Sequence, residues 1–263
     1  MTVLSRCALV ALVSALPLVA DDGACKIDTP CYSAASVVNS GSYTTGWLAP
    51  NTFASIFGLN LAHGTVNGLA GPQDRTGQLG GVRVLVNSQP TFISYVSPDQ
   101  VNFVVPVTAA GDTVTVQLVR ESLAGPAVTL TMHDSAPALF QWDATTAAAA
   151  HLDRDWSPVT QQSPAHAGEW IALYATGLGP YKMSLLDFYV PIVVDPIARL
   201  AEFRLLLDGQ AVDPKLIPYV GAAIAIGVFQ INLQLPAWVG PNPEIRIALG
   251  DRLSPPGLSL PVQ

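Results

Sequence analysis

Apolar and polar residues alternate with a period of two along several short segments. Val82, Val84 and Val86 are separated by Arg83 and Leu85. Val114, Val116 and Leu118 alternate with Thr113, Thr115 and Gln117, and Ile245, Ile247 and Leu249 with Glu244, Arg246 and Ala248. A period of two gives a strand one apolar face, so these segments predict half-buried antiparallel strands. Turn residues punctuate them at Gly71-Pro72, Ser97-Pro98-Asp99, Ala110-Gly111-Asp112 and Gly125-Pro126. Short strands at that spacing predict a β-sandwich. No segment sustains a helical period. Ala144–Ala150 is rich in alanine, but Thr145-Thr146 and its match to residues 34–38 favour a strand.

The strand blocks occur twice, in the same order. Gln100-Val101-Asn102-Phe103-Val104-Val105-Pro106 matches Gln230-Ile231-Asn232-Leu233-Gln234-Leu235-Pro236. Val82–Asn87 matches Phe203–Asp208, Tyr95-Val96 matches Tyr219-Val220, and Phe53–Phe57 matches Trp170–Tyr174. Thr113–Leu118 is aligned with Glu244–Leu249, and Ala127–Met132 with Gly257–Val262. The offset drifts between blocks, which places insertions in the loops, where they are tolerated. Gln100, Asn102, Gln230 and Asn232 recur at equivalent positions. Such recurrence predicts a role in the fold, with these side chains satisfying backbone groups where a strand leaves a turn.

Composition narrows the class. Half of the 263 residues are hydrophobic and only 12% are charged, which excludes a disordered or coiled-coil chain. The net charge is −7 and the basic residues are scattered singly, so no nucleic-acid footprint exists. Met1–Ala20 has a basic Arg6, a short apolar run from Cys7 to Ala20 and a polar turn at Asp21-Asp22-Gly23. The run is shorter than the roughly 20 residues a bilayer span needs. It reads as a secretory signal peptide, 1–20, with no transmembrane span in the mature chain. Export to an oxidising compartment predicts a Cys25–Cys31 disulfide closing a segment over 21–34. The expected location is secreted or at the cell surface, in the periplasm or on the outer-membrane exterior.

Several motifs together resemble a known family. They are Leu48-Ala49-Pro50, Ser55-Ile56-Phe57-Gly58-Leu59-Asn60-Leu61, Tyr95–Asn102, Ala136-Pro137-Ala138-Leu139-Phe140 and Leu173-Tyr174-Ala175-Thr176-Gly177-Leu178-Gly179. In combination the chain resembles the Solibacter-type C-terminal domain of exported acidobacterial proteins. Each half resembles an IPT/TIG module. The resemblance implies two tandem immunoglobulin-like β-sandwiches, all-β, over 35–133 and 134–263. That family has no assigned catalytic residues to carry over.

Two stretches depart from the family pattern. Tyr181–Val194 is apolar where a polar linker is usual, and Leu185, Leu186, Phe188, Tyr189, Val190 and Ile192 form a candidate apolar interface. Gly221–Phe229 is apolar where a turn is expected, which reads either as packing or as a partner surface.

Candidate chemistry is sparse. There is no Gly-x-Ser-x-Gly elbow and no glycine-rich phosphate loop. His63, His133, His151 and His166 lie far apart and read as structural or surface residues, with no zinc spacing. Asp153, Asp155 and Ser157 offer oxygen at alternate positions, a weak calcium candidate without the later bidentate acid; no cofactor and no firm metal site is expected. Trp142, Trp156 and Trp238 fall near strand ends and could contact a ligand, since an indole offers an apolar face and a polar tip. The expected function is a non-enzymatic interaction module for adhesion, envelope scaffolding or surface display, with an extracellular protein or polysaccharide as partner. The alternatives are a carbohydrate-binding module using the loop aromatics and a hydrolase with an unrecognised site.

Overall fold

The computed structural model describes residues 28–68, 77–109, 111–182, 194–223 and 225–263. Met1–Ala20, Cys25 and the candidate interface residues Leu185, Leu186, Phe188, Tyr189, Val190 and Ile192 lie outside them.

The chain is all-β and builds immunoglobulin-like sandwiches. The first half supplies β1 (Val37–Asn39), β2 (Phe53–Phe57), β3 (Val66–Asn67), β4 (Gln78–Leu79), β5 (Val82–Val86), β6 (Gln89–Pro90), β7 (Ile93–Val96), β8 (Gln100–Val104), β9 (Thr113–Arg120) and β10 (Leu123–Thr131). One sheet runs β1-β2-β8-β7-β3 and its partner β10-β9-β5-β4. The main strands thus follow the ABED and CFG orders of an immunoglobulin sandwich.

The second half supplies β11 (Ala138–Leu139), β12 (Ala149–His151), β13 (Trp170–Thr176), β14 (Phe203–Leu207), β15 (Gln210–Ala211), β16 (Tyr219–Ala222), β17 (Phe229–Gln234), β18 (Ile245–Leu249) and β19 (Arg252–Leu253). Its sheets run β11-β13-β17-β16 and β15-β14-β18-β19, the same two orders again. β12, in the alanine-rich stretch, pairs with β13 as a strand.

Alternation explains the burial. In β5 the three valines are buried while Arg83 is exposed, and β17 alternates from Phe229 through Ile231 and Leu233. Each such fully buried large side chain contributes roughly 1.5–3 kcal/mol. One core gathers residues from Tyr32 to Met132, around Phe103, Ile56 and Leu118; another gathers Leu139 to Val262, around Phe229, Ile171 and Leu205.

Register confirms most of the repeat and corrects one block. Ser55 faces Asn102 and Ala172 faces Asn232, as the matched blocks require. Val86, however, faces Val116, and its counterpart Leu207 faces Ile245. Val116 therefore corresponds to Ile245, two residues away from the alignment of Thr113–Leu118 with Glu244–Leu249. A shift of two keeps every side chain on its face, so alternation alone cannot detect it. The turn confirms the new register: Thr115 N–H donates to Asn87 Oδ1 at 2.9 Å, and Glu244 N–H to Asp208 Oδ1 at 2.8 Å.

The recurring Gln and Asn side chains do not reach the backbone groups expected of them. Gln100 Nε2 donates to Asn102 Oδ1 at 2.8 Å, and Gln230 Nε2 to Asn232 Oδ1 at 2.7 Å. On a strand, positions i and i+2 share a face, so each amide finds its neighbour before any main-chain group.

The halves meet over a third cluster. Phe53, Phe92 and Val104 from the first pack with Phe140 and Ala148 from the second, and Trp142, Tyr174, Ile226 and Val228 flank them. Phe53 and Phe140 meet edge to face, with centroids 6.1 Å apart. The apolar run Gly221–Phe229 thus contributes packing between halves: Ile226 and Val228 lie against this cluster and Phe229 is fully buried. At a second seam Trp47 and His133 meet at a tilt of 56°, and Arg252 of the second half lies over the indole, 5.5 Å from its centroid.

Candidate functional site

One end of the second sandwich collects most of the chemistry. Trp170 opens β13 opposite Gln234, which closes β17, so the residues before Trp170 and after Gln234 emerge at the same edge. Backbone bonds tie them: Gly168 N–H donates to Leu235 O at 2.8 Å and Leu235 N–H to Glu169 O at 2.9 Å. The chain between β12 and β13 folds back there as a hairpin, with His151 N–H donating to Ser157 O at 2.9 Å and Leu152 N–H to Trp170 O at 2.9 Å. The C-terminus joins the same end, where His166 Nδ1 lies 3.0 Å from Gln263 O.

The three tryptophans divide. Trp156 is 37% exposed at the hairpin tip and Trp238 is 44% exposed on the turn after β17. Trp156 holds a φ of 61°, and its N–H donates to His151 O at 3.1 Å. The left-handed region costs a non-glycine residue about 1–3 kcal/mol, offset here by the closed hairpin. Trp238 is held by a Pro236–Val239 turn, with Val239 N–H on Pro236 O at 3.1 Å. Trp142 is different. It is half-buried against the cluster between the halves, and its indole Nε1 is buried without a hydrogen-bond partner. It belongs to that packing and not to the exposed loop end.

Asp153, Asp155 and Ser157 sit on the hairpin, and both carboxylates are engaged by local hydrogen bonds. Asp155 Oδ1 accepts Ser157 N–H at 3.0 Å, while Asp153 Oδ2 faces Trp170 N at 3.4 Å. Hydrogen bonds from Ser157 hold the Asp155 carboxyl below the usual carboxylate range. These bonds help to close the hairpin. Among the described residues no group of three or more His, Cys, Asp or Glu is placed to hold a metal ion.

Beneath Trp156 the fold assembles a buried polar network that no sequence motif announces. His151 is fully buried, and its Nδ1 contacts Glu169 Oε1 directly. Its Nε2 lies 3.2 Å from Ser163 Oγ and 3.2 Å from Ser163 O. Glu169, whose side chain is 6% exposed, receives Arg154 Nη2 at 3.2 Å and His166 N–H at 3.0 Å on Oε2. Three chain segments therefore converge on one carboxylate. The members are 12 and 18 residues from His151 and follow no short motif. The one available signal is a polar His inside an otherwise apolar strand, since a buried imidazole needs partners.

No family model matches the chain. No curated protein matches it. Solved structures do. The chain is similar to the surface glycan-binding protein PbSGBP-B from Prevotella bryantii, at 12% identity and a TM-score of 0.26, over 87% of this chain and 42% of that one. It is similar to the I9–I11 tandem of titin, at 11% identity and a TM-score of 0.25, over 82% and 61%. It is also similar to the SGBP-B of the Bacteroides ovatus mixed-linkage glucan utilization locus, in complex with a mixed-linkage heptasaccharide, at 10% identity and a TM-score of 0.33, over 85% and 44%. The chain spans less than two thirds of the length of each of these.

Among the described residues, no helix is long and apolar enough to cross a membrane. Cys31 is buried and bridges Leu59, with Cys31 N–H on Leu59 O at 2.9 Å.

Proposed function

We propose that the protein is an extracellular interaction module whose second sandwich binds a polysaccharide through the loop end carrying Trp156 and Trp238. One observation carries this reading: two large indoles stand exposed at one edge, each on a short hydrogen-bonded turn. An exposed tryptophan costs a soluble chain apolar contact with water, and a sugar ring's C–H face is the kind of surface it covers. Rigid turns lower the entropy lost when a ligand orders the side chain. Arg154 of the Trp156 hairpin, its side chain half-exposed, and Asn242 of the loop after β17 that carries Trp238, bonded to Gln161 at 3.2 Å, supply polar groups for hydroxyls. Export, adhesion and envelope scaffolding belong to the same proposal, with the signal segment as their support.

The test is co-sedimentation of the protein with a panel of insoluble polysaccharides. Saturable binding to one of them, lost in Trp156→Ala or Trp238→Ala and kept in Trp142→Phe, is expected. Binding to none, or equal binding by wild type and both loop variants, overturns the reading.

A further inference from the structure

We propose that Ser163 is an activated nucleophile, with His151 as its general base and Glu169 as the group that orients the base, and that it accepts the acyl group of an activated carboxylic ester. The inference stands apart from the glycan reading, because it rests on the network beneath the indoles.

The connectivity is that of an acyl-transfer triad, recognised by roles and geometry and not by chain order. A carboxylate only accepts hydrogen bonds, so His151 Nδ1 carries a proton toward Glu169 Oε1. Nε2 is then the basic position of the ring, and Ser163 Oγ lies 3.2 Å from it. Glu169 is held in place on its other oxygen: Arg154 and His166 N–H occupy Oε2, which leaves Oε1 to the ring. His151 is sealed from solvent while Ser163 is half-buried, so the nucleophile is the member an ester can approach. The Ser163 carbonyl, also 3.2 Å from Nε2, becomes an acceptor for the N–H that forms when the ring takes a proton.

The step balances without a metal or cofactor. Ser163 Oγ attacks the carbonyl carbon of an aryl ester, and the new C–O bond forms as the Oγ proton passes to Nε2. The bond to the aryl oxygen breaks and its electron pair leaves with the aryloxide. Acyl-Ser163 and an imidazolium remain. Deacylation needs a water at Nε2, and the ring is buried there. The acyl group should therefore accumulate as a burst of one equivalent ahead of slow turnover.

The experiment treats the folded protein with 4-nitrophenyl acetate, and separately with a fluorophosphonate, which forms a Ser–O–P bond and releases fluoride. Intact mass and peptide mapping locate the adduct. One adduct on the peptide carrying Ser163 is expected, absent in Ser163→Ala and formed about a hundredfold more slowly in Glu169→Gln, which keeps the shape but weakens the orientation of the base. Circular dichroism checks that both variants keep their strands. Labelling no faster than that of urea-unfolded protein overturns the proposal. So does an adduct at another residue, or wild-type labelling of folded Glu169→Gln.

Discussion

The Thr176 hydroxyl joins the two halves of the chain: Oγ1 accepts the N–H of Phe53 at 2.7 Å and donates to the carbonyl of Gly227 at 2.7 Å. All three residues are buried. One side chain of β13 thus satisfies a strand of the first sandwich and a turn of the second. Thr176→Val keeps the volume but leaves one buried donor and one buried acceptor without partners. Each such group costs about 1–3 kcal/mol. The variant should unfold about 2–4 kcal/mol more easily in urea, and small-angle scattering should show a wider distribution between the halves. An unchanged midpoint would mean that the seam is held by the aromatic cluster alone.

The repeated amide pairs differ in one respect that can be measured. Asn102 Oδ1 also accepts the Ser55 hydroxyl at 2.8 Å, and Ser55 in turn lies 2.8 Å from Ser40 Oγ. The position equivalent to Ser55 in the second half is Ala172, so Asn232 has no such chain behind it. Asn102→Ala should therefore cost about 1 kcal/mol more than Asn232→Ala, by the usual value of one net hydrogen bond. Paired urea titrations read the difference. Equal losses would show that the serine chain contributes nothing.

These pairs also mark how far the sequence can be read. Which strands exist, their order and the duplication follow from alternation and matched blocks, because a strand's buried face leaves a period of two. The residue-by-residue correspondence of β9 with β18 does not follow, since Val116 and Val114 look alike to any test of period. The side-chain partners of Gln100 and Asn102 depend on pleat geometry. The His151–Glu169–Ser163 network is harder still: it joins a strand, a turn and the residue before another strand, and only the folded hairpin brings them into contact. Trp142 and Trp156 carry the same residue type near strand ends, and only packing separates the half-buried one from the exposed one.

Alkaline pH should loosen the first sandwich through Tyr32. Its hydroxyl donates to Pro126 O at 2.6 Å and accepts Leu118 N–H at 2.6 Å. Burial pushes the phenol up to about 12. Burial favours the neutral form, so the folded state holds its proton longer than the unfolded chain does. The resulting stability is complete below the phenol's ordinary value near 10 and is lost as pH rises from there through about 12. Tyr181, packed on Phe229 at 5.1 Å and also raised to about 12 by burial, adds the same trend in the second sandwich. Burial also raises the Tyr43 and Tyr219 phenols, so absorbance at 295 nm should show late ionisation with Tyr32 and Tyr181 last, together with the loss of strand signal. Tyr32→Phe should remove part of that pH dependence while lowering stability at neutral pH.

Replacing Trp156 or Trp238 should cost little stability. Truncating a half-exposed side chain removes little buried area, so Trp238→Ala should shift the urea midpoint by no more than about 0.5 kcal/mol. Trp156→Gly should stabilise by about 0.5–1 kcal/mol, because glycine adopts the left-handed φ of 61° without strain. Trp142→Ala, by contrast, opens the cluster between the halves and should cost about 3 kcal/mol. A thermal melt of the three variants separates the groups. A large loss in Trp238→Ala would place that ring in the core's service and weaken its assignment to a ligand.

Gly227 is where two costs of a single methyl can be separated. Its φ is 76°, in the region that favours glycine. A Cβ built there would stand 2.9 Å from Val104 Cγ2, across the boundary between the halves. Gly227→Ala therefore carries a backbone penalty of about 1 kcal/mol and, in addition, pushes β8 away from the turn. Val104→Ala removes the methyl groups that the new Cβ would meet but leaves φ unchanged. In a double-mutant cycle the combined variant should be more stable than the sum of the single losses predicts, by about 0.5–2 kcal/mol, because the collision exists only when both side chains are present. The residual loss that Val104→Ala does not relieve measures the backbone cost. Strict additivity would mean that the turn moves freely to admit the methyl, and then the Thr176 hydroxyl, bonded to the Gly227 carbonyl, would have to follow it or let go.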